Sequence, residues 1–215
     1  LDRLAETFIR DHGGVPSFKN YRGFPASICV SVDEEVVHGI PGRRRLRAGD
    51  IVSLDLGVFL DGFHGDVART VAIGKVDAQS RRLLRVAEEA LLVGIREARE
   101  GRTTGDLGHA IQRVVEAEGF SVVRDFAGHG IGRDLHEGPE VPNYGTPGMG
   151  VVLQRGMTLA IEPMVNAGGF EVVVEGDGWT VRTRDRGRSA HFEHTVSVGP
   201  DGAEVLTRLN GAGGI

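Results

Sequence analysis

The stretch "GDIVSLDLGVFLDGFHGDVARTVAIG", residues 49–74, alternates like two strands around an Asp61-Gly62 turn, yet its apolar runs carry two carboxylates, Asp55 and Asp66. Closing the hairpin on that turn pairs Leu60 with Phe63, and therefore Gly57 with Asp66. Asp55 lies two residues from Gly57, so both acids fall on one face as diagonal neighbours, with Cβ atoms roughly 7 Å apart or less. Two acids that close either share a proton or share a cation. Left unpaired and buried, they would be strongly destabilising. A solvent-facing pair on an edge hairpin is the alternative, and the apolar flanking residues weigh against it.

Three more side chains of the right chemistry sit in guarded places. Glu162 ends the apolar run "MTLAIE" just ahead of Pro163, and Glu193 lies inside the strand pattern "HFEHTVSV". His129 stands between glycines in "AGHGIG", where small residues let the backbone approach another group closely. Singly these read as a strand-end acid, a salt-bridged glutamate and a loop histidine. Together with the aspartates they make four carboxylates and one imidazole. That set suits one or two divalent ions such as Mn, Fe, Co or Zn, with bridging carboxylates. It disfavours a structural zinc site, which would want thiolates or more imidazoles.

The elements that must position these groups show an internal repeat. "LRAGDIVSLD" (46–55) and "LQRGMTLAIE" (153–162) share a leading Leu, a Gly at the fourth place, an apolar strand and a final carboxylate. Upstream of each lies "HGI", at residues 38–40 and 129–131, and further upstream an amphipathic helix closing on glycine, at Gly13 and at Gly119. Three features recurring in one order indicate a duplicated α/β half, roughly 1–75 and 80–170. In the leading helix Leu1, Leu4, Phe8 and Ile9 share a face. The second half carries one more helix, with Leu83, Leu84, Ala87, Leu91 and Ile95 on a stripe, so the first half is expected to lack a leading helix. A hairpin around residues 176–178 and a strand "SAHFEHTVSV" follow. The expected class is α+β, with helices on one face of a largely antiparallel sheet, in a single domain of residues 1–215.

Composition narrows the function classes. The chain has 215 residues, 40% hydrophobic and 26% charged, which is ample for one globular core. A net charge of -5 argues against nucleic acid as a general partner. No apolar run approaches the ~18 residues of a membrane span. The single cysteine, Cys29, excludes an internal disulfide and suits a reducing compartment such as the cytoplasm.

"HGIP", "DLGVFLDGFHGD", "GHGIG", "LHEGP", "IEPM" and "FEHT", in this order, closely resemble the type I methionine aminopeptidases of bacteria, from about Tyr21 to Leu206. The resemblance implies the pseudo-twofold pita-bread fold. It implies an exopeptidase that removes the initiator methionine from nascent polypeptides, preferring a small second residue, by attack of a metal-bound water or hydroxide. Asp55, Asp66, His129, Glu162 and Glu193 would ligate two divalent ions (Co, Mn, Fe or Zn), with Asp66 and Glu193 bridging. His136 would stabilise the tetrahedral intermediate, His38 would contact the peptide nitrogen, and Glu162 would be the general base. Tyr21, Phe24, Cys29, Phe63, Leu135 and Trp179, together with His38 and His136, would line the substrate slot.

A monovalent cation near Asp33, a monomeric state and docking on the ribosome complete what the resemblance implies, with no membrane and no specific nucleic acid among the partners. Four positions depart from the family pattern: Arg22 where His is frequent, Asp33 for Asn, Gly57 for Thr and His191 for Gln. None of them removes a ligand. A related Xaa-Pro peptidase would carry a sizeable extra domain. Only 26 residues separate His136 from Glu162, which excludes the helical insertion of the type II enzymes. A binding module descended from such an enzyme would be expected to lose ligands, and all five are present.

Overall fold

The computed structural model describes residues 1–208; the end of the 1–215 domain range, residues 209–215, lies outside it. Helix α1 (Asp2–Asp11) leads into strand β1 (Val15–Pro16) and a single 3-10 turn (Tyr21–Gly23). Strands β2 (Cys29–Val32) and β3 (Glu35–Val37) precede the long hairpin of β4 (Ile51–Leu60) and β5 (Phe63–Ala72). Helices α2 (Ala78–Glu97) and α3 (Thr104–Ala117) follow, then β6 (Ser121–Val122), β7 (Gly128–Gly130), β8 (Glu137–Val141) and β9 (Thr158–Ile161). A meander closes the described chain: β10 (Met164–Asn166), β11 (Val172–Val174), β12 (Val181–Thr183), β13 (Ser189–His191), β14 (Glu193–Val198) and β15 (Ala203–Val205).

The main sheet runs β1-β4-β5-β14-β9-β7-β8, with β2 also on β4 and β15 also on β14, and its pairings are antiparallel. The hairpin closes as its alternation demands, with Leu60 opposite Phe63 and Gly57 opposite Asp66. The two similar ten-residue stretches end in β4 and β9, which flank the central pair β5 and β14 from opposite sides. This is the α+β, largely antiparallel arrangement expected from the order of elements in the sequence.

Both long helices start where their sequences offer caps: the Asp77 side chain accepts from the Ser80 N–H, and Thr103 and Asp106 form a reciprocal capping box. Their apolar stripes cover one face of the sheet. Leu83, Ala87, Leu91 and Ile95 of α2 join Leu107, Ile111 and Val115 of α3 over Ile51, Leu159, Ile161 and Val196. The helices approach closely because Gly94 has no side chain; a Cβ there would meet Ile111 Cδ1 at 2.9 Å and Ile161 Cγ2 at 3.1 Å.

Two features differ from the sequence-based expectation. The segment "SAHFEHTVSV" is not one strand: β13 pairs with β10, whereas β14 pairs with β9 and β5. The break falls where Phe192 meets Pro163, a residue with no N–H to continue a ladder; Phe192 N–H donates to the Pro163 carbonyl at 3.4 Å. Glu162 and Glu193 therefore both sit at the same step between sheets. The apolar face of α1 is also mostly uncovered: Leu1, Leu4 and Phe8 are exposed, and only Ile9 is buried. Asp2 holds the helix to the body by accepting from the Ser27 and Ile28 N–H groups.

Gly128 tests how tightly the sheet holds its contents, because a Cβ there would stand 2.3 Å from the Ala160 carbonyl oxygen on β9. Gly128→Ala is expected to lower the free energy of unfolding by about 1–3 kcal/mol, the usual range for overpacking. A urea titration checks this; an unchanged midpoint would mean that β7 can shift freely.

Candidate metal centre

Strand register assembles the site. Across the sheet, Cys29 lies opposite Asp55, Asp55 opposite Ala68, and Ala68 opposite Glu193. A second row runs His129, Ala160, Thr195, and the Thr195 hydroxyl exchanges hydrogen bonds with the Asp66 backbone at 2.8 and 2.9 Å. Residues of one row share a face. Ala68 and Ala160 keep the middle of each row low, so the acids flank a common point rather than cover it. Ligand atoms of Asp66, His129 and Glu193 lie within 4.8 Å of one another, all three buried.

His129 shows how one hydrogen bond selects the ligating atom. Its Nδ1 lies 2.8 Å from the Gly130 carbonyl, which can only accept, so Nδ1 carries the proton and Nε2 keeps a free lone pair. That Nε2 points toward the acids, 3.5 Å from Glu162 Oε1. Burial, and then the neighbouring carboxylates, raise Asp55, Glu162 and Glu193 well above the ordinary range, and burial lifts Asp66 to about 7. Asp55 Oδ1 is buried with no hydrogen-bond partner. A divalent cation satisfies every one of these features: it neutralises the acids, partners the orphaned oxygen and takes the imidazole lone pair. The residues present fit such an ion.

A cavity of about 140 Å³ gathers every sequence-predicted site residue except Phe63. Phe63 lies at the hairpin tip, 53% exposed, with the Arg133 guanidinium stacked over its ring. Its place opposite Leu60, next to the turn, carries it beyond the cavity, and the expectation that it lines the slot is corrected. The apolar end is closed by Phe24, Cys29 and the edge of Trp179, whose ring meets Phe24 at 5.2 Å. His38 adopts a left-handed backbone (φ 60°) because the following Gly39 is pressed against the Val30 carbonyl, with no room for a Cβ. This turns its ring edge-on to Phe126 and Trp179.

His136 belongs to a row of stacked rings. It lies 4.1 Å from the His129 ring and 5.3 Å from Tyr21, whose hydroxyl reaches His136 Nδ1 at 2.9 Å. Burial, followed by the charges of His129, Arg22, His38 and His64, pushes His136 down to about 4, so at neutral pH it is uncharged. In the tautomer whose Nδ1 accepts from the Tyr21 hydroxyl, Nε2 carries the proton and can donate it into the cavity.

Two lining residues, Phe18 and Arg22, were not foreseen as site residues. Phe18 was invisible because its approach depends on Gly57, where a Cβ would meet its ring at 2.9 Å. His191, noted only as a departure, is fully buried with Nε2 3.6 Å from Glu162 Oε2. Asp33, near which the resemblance implies a monovalent cation, is paired with two guanidinium groups, Arg188 on Oδ1 at 3.2 Å and Arg44 on Oδ2 at 3.1 Å. No described helix is long and apolar enough to cross a membrane.

Comparison with known proteins agrees with this geometry. The sequence pattern of metallopeptidase family M24 matches residues 1–200. A methionine aminopeptidase of Clostridium perfringens is 55% identical over 209 residues, covering 97% of this chain and 84% of that protein. The crystal structure of a methionine aminopeptidase from Thermotoga maritima superposes with a TM-score of 0.95 at 49% identity, covering 97% of this chain and 84% of that one. An Xaa-Pro dipeptidase from Bacillus anthracis, 23% identical, shares the fold with a TM-score of 0.73 while this chain covers 52% of it.

The acid cluster predicts how the metal-free protein responds to pH. Asp66 ionises near 7 when folded and near 3.8 when free, so over that interval the folded state holds more protons and stability falls as pH rises. The imidazoles of His38, His64, His129, His136, His191 and His194, all held below 6.5, oppose this for as long as the unfolded histidines still bind protons, to about one pH unit above 6.5. Between about pH 7.5 and 8.5 the acids therefore dominate, and the melting temperature of EDTA-treated protein should fall. Saturating Mn should abolish that decline. Thermal unfolding at three pH values with and without Mn checks it; equal slopes would separate the acids from metal binding.

Proposed function

The chain belongs to metallopeptidase family M24, and on that premise we propose how a methionine aminopeptidase of this sequence works. The protein is a metal-dependent aminopeptidase that removes the N-terminal initiator methionine. The observation that carries the reading is the bare Nε2 of His129 converging with the Asp66 and Glu193 carboxylates beside an apolar slot closed by Phe24, Cys29 and Trp179. Asp55, Asp66, His129, Glu162 and Glu193 would hold two divalent ions, Co, Mn, Fe or Zn. When bound, the ions supply an activated water at neutral pH and polarise the scissile carbonyl.

The remaining steps fall to the protein. Phe24, Cys29, Leu135, Tyr21 and Trp179 seat the unbranched methionine side chain, for which polarizable sulfur and aromatic neighbours are well suited. Glu162 receives a proton from the attacking water and returns it to the leaving amine. His136 Nε2–H donates to the oxygen on which negative charge develops, and Tyr21 holds it in that tautomer. His38 faces the peptide nitrogen. The whole of 1–215 acts as one catalytic domain, a monomer in the cytoplasm that meets its substrates at the ribosome. The exposed run Arg43, Arg44, Arg45 and Arg47 supports that last point.

His136→Ala should retain metal and lose about 10²–10³-fold in kcat, the scale of one transition-state donor. Metal content and turnover measured on one preparation check this; loss of metal along with activity would make His136 a ligand.

Substrate choice tests the reading as a whole. Met-Ala-Ser should be cleaved far faster than Met-Phe-Ser, and N-acetyl-Met-Ala-Ser not at all, because acetylation removes the basic amine that the cavity acids and ions receive. Competitive hydrolysis of the three peptides decides the matter. Comparable rates would assign the site to another hydrolase.

A further inference from the structure

Arg22 lines the catalytic cavity but none of the steps above uses it. It lies in the Tyr21–Gly23 turn, whose backbone is left-handed at Asn20 (φ 66°), Arg22 (φ 51°) and Gly23 (φ 92°). Two non-glycine residues in that conformation are unfavourable, and such strain gathers where side-chain placement matters. The result is a guanidinium laid over the Tyr21 ring, 5.2 Å from its centroid, with Tyr21 in turn stacked on and hydrogen-bonded to His136. Arg22 is thereby held at a set distance from the group that faces the scissile amide.

Its charge is uncompensated by the protein. Among the described residues no carboxylate lies within 4.0 Å of Arg22, as is also true of Arg43, Arg45 and Arg133, but of these only Arg22 lines the catalytic cavity. The cavity acids are committed inward, to the metal centre. Phe24 and Cys29 are buried at the apolar end of the slot whereas Arg22 is exposed on its lining, so Arg22 stands on a side open to a peptide that extends from the slot. From the His136 ring to the Arg22 guanidinium is at most about 10.5 Å, which about two residues of extended chain and one acidic side chain span.

We propose that Arg22 is a specificity-determining residue that pairs with an acidic side chain on the third residue of the substrate. The inference rests on the aminopeptidase reading above and names a feature of its substrates: among chains with the same first two residues, those with Asp or Glu third are processed fastest.

Three amidated peptides test it with the metal-loaded enzyme: Met-Ala-Asp-Ser-amide, Met-Ala-Ser-Ser-amide and Met-Ala-Lys-Ser-amide. At low ionic strength the Asp peptide should exceed the Lys peptide in kcat/KM by about two- to fivefold, the scale of an exposed ion pair, and salt should shrink the ratio. Arg22→Gln should bring the ratio to one and Arg22→Glu should invert it, each compared within a single variant of verified melting temperature. A wild-type ratio of one, or the wild-type ratio persisting in Arg22→Glu, overturns the inference while leaving the aminopeptidase intact. Failure to cleave the serine peptide overturns the aminopeptidase reading and this inference with it.

Discussion

Four carboxylates line one cavity inside a folded sheet, with Asp66 and Glu193 within 4.8 Å of each other, and mutual repulsion and lost hydration both resist that arrangement. A divalent charge is the economical solution, and much of the surrounding structure can be understood as holding the acids in place against their own repulsion. Asp55 and Asp66 are locked by a ten-pair ladder between β4 and β5, so neither can swing away without slipping the register of the whole hairpin. Thr195 ties the Asp66 backbone to β14, binding the two central strands together beside the site.

The step between sheets supplies the other two acids. Pro163 and Phe192 interrupt their ladders at the same level, so Glu162 and Glu193 emerge side by side where β9 gives way to β10 and β13 to β14. Behind them the close packing of α2 and α3, made possible by Gly94, presses Ile111 against Ile161 and keeps β9 from retreating. Packing far from the centre thus bears directly on ligand geometry.

Opposite the acids stands a row of uncharged or cationic groups running outward: His129, His136, Tyr21 and Arg22. Each ring fixes the next, by the Gly130 carbonyl on His129 and by the Tyr21 hydroxyl on His136. The row thus grades from a buried imidazole with a free Nε2, through an uncharged imidazole, to an exposed guanidinium. The same crowding keeps His136 neutral, which is the form able to act as both acceptor toward Tyr21 and donor toward substrate.

The primary sequence determined the β4–β5 hairpin and the shared face of its aspartates, because a two-residue turn and strict alternation leave no freedom of register. The repeat and the five candidate ligands were legible for similar reasons: each shows as a local residue pattern or as chemistry that tolerates few substitutes. Tertiary structure alone decided the rest. Phe63 left the pocket because its position beside the turn carries it past the cavity, which alternation cannot reveal. Phe18 entered because Gly57, on a distant strand, leaves space for its ring. Arg188 and Arg44 closed on Asp33 from segments far apart in sequence. Arg22 gained its place through a left-handed turn and a stack on Tyr21 that no residue pattern encodes. Such features arise from which surfaces meet when the chain packs, and local sequence carries no record of a neighbour it does not touch until the chain is folded.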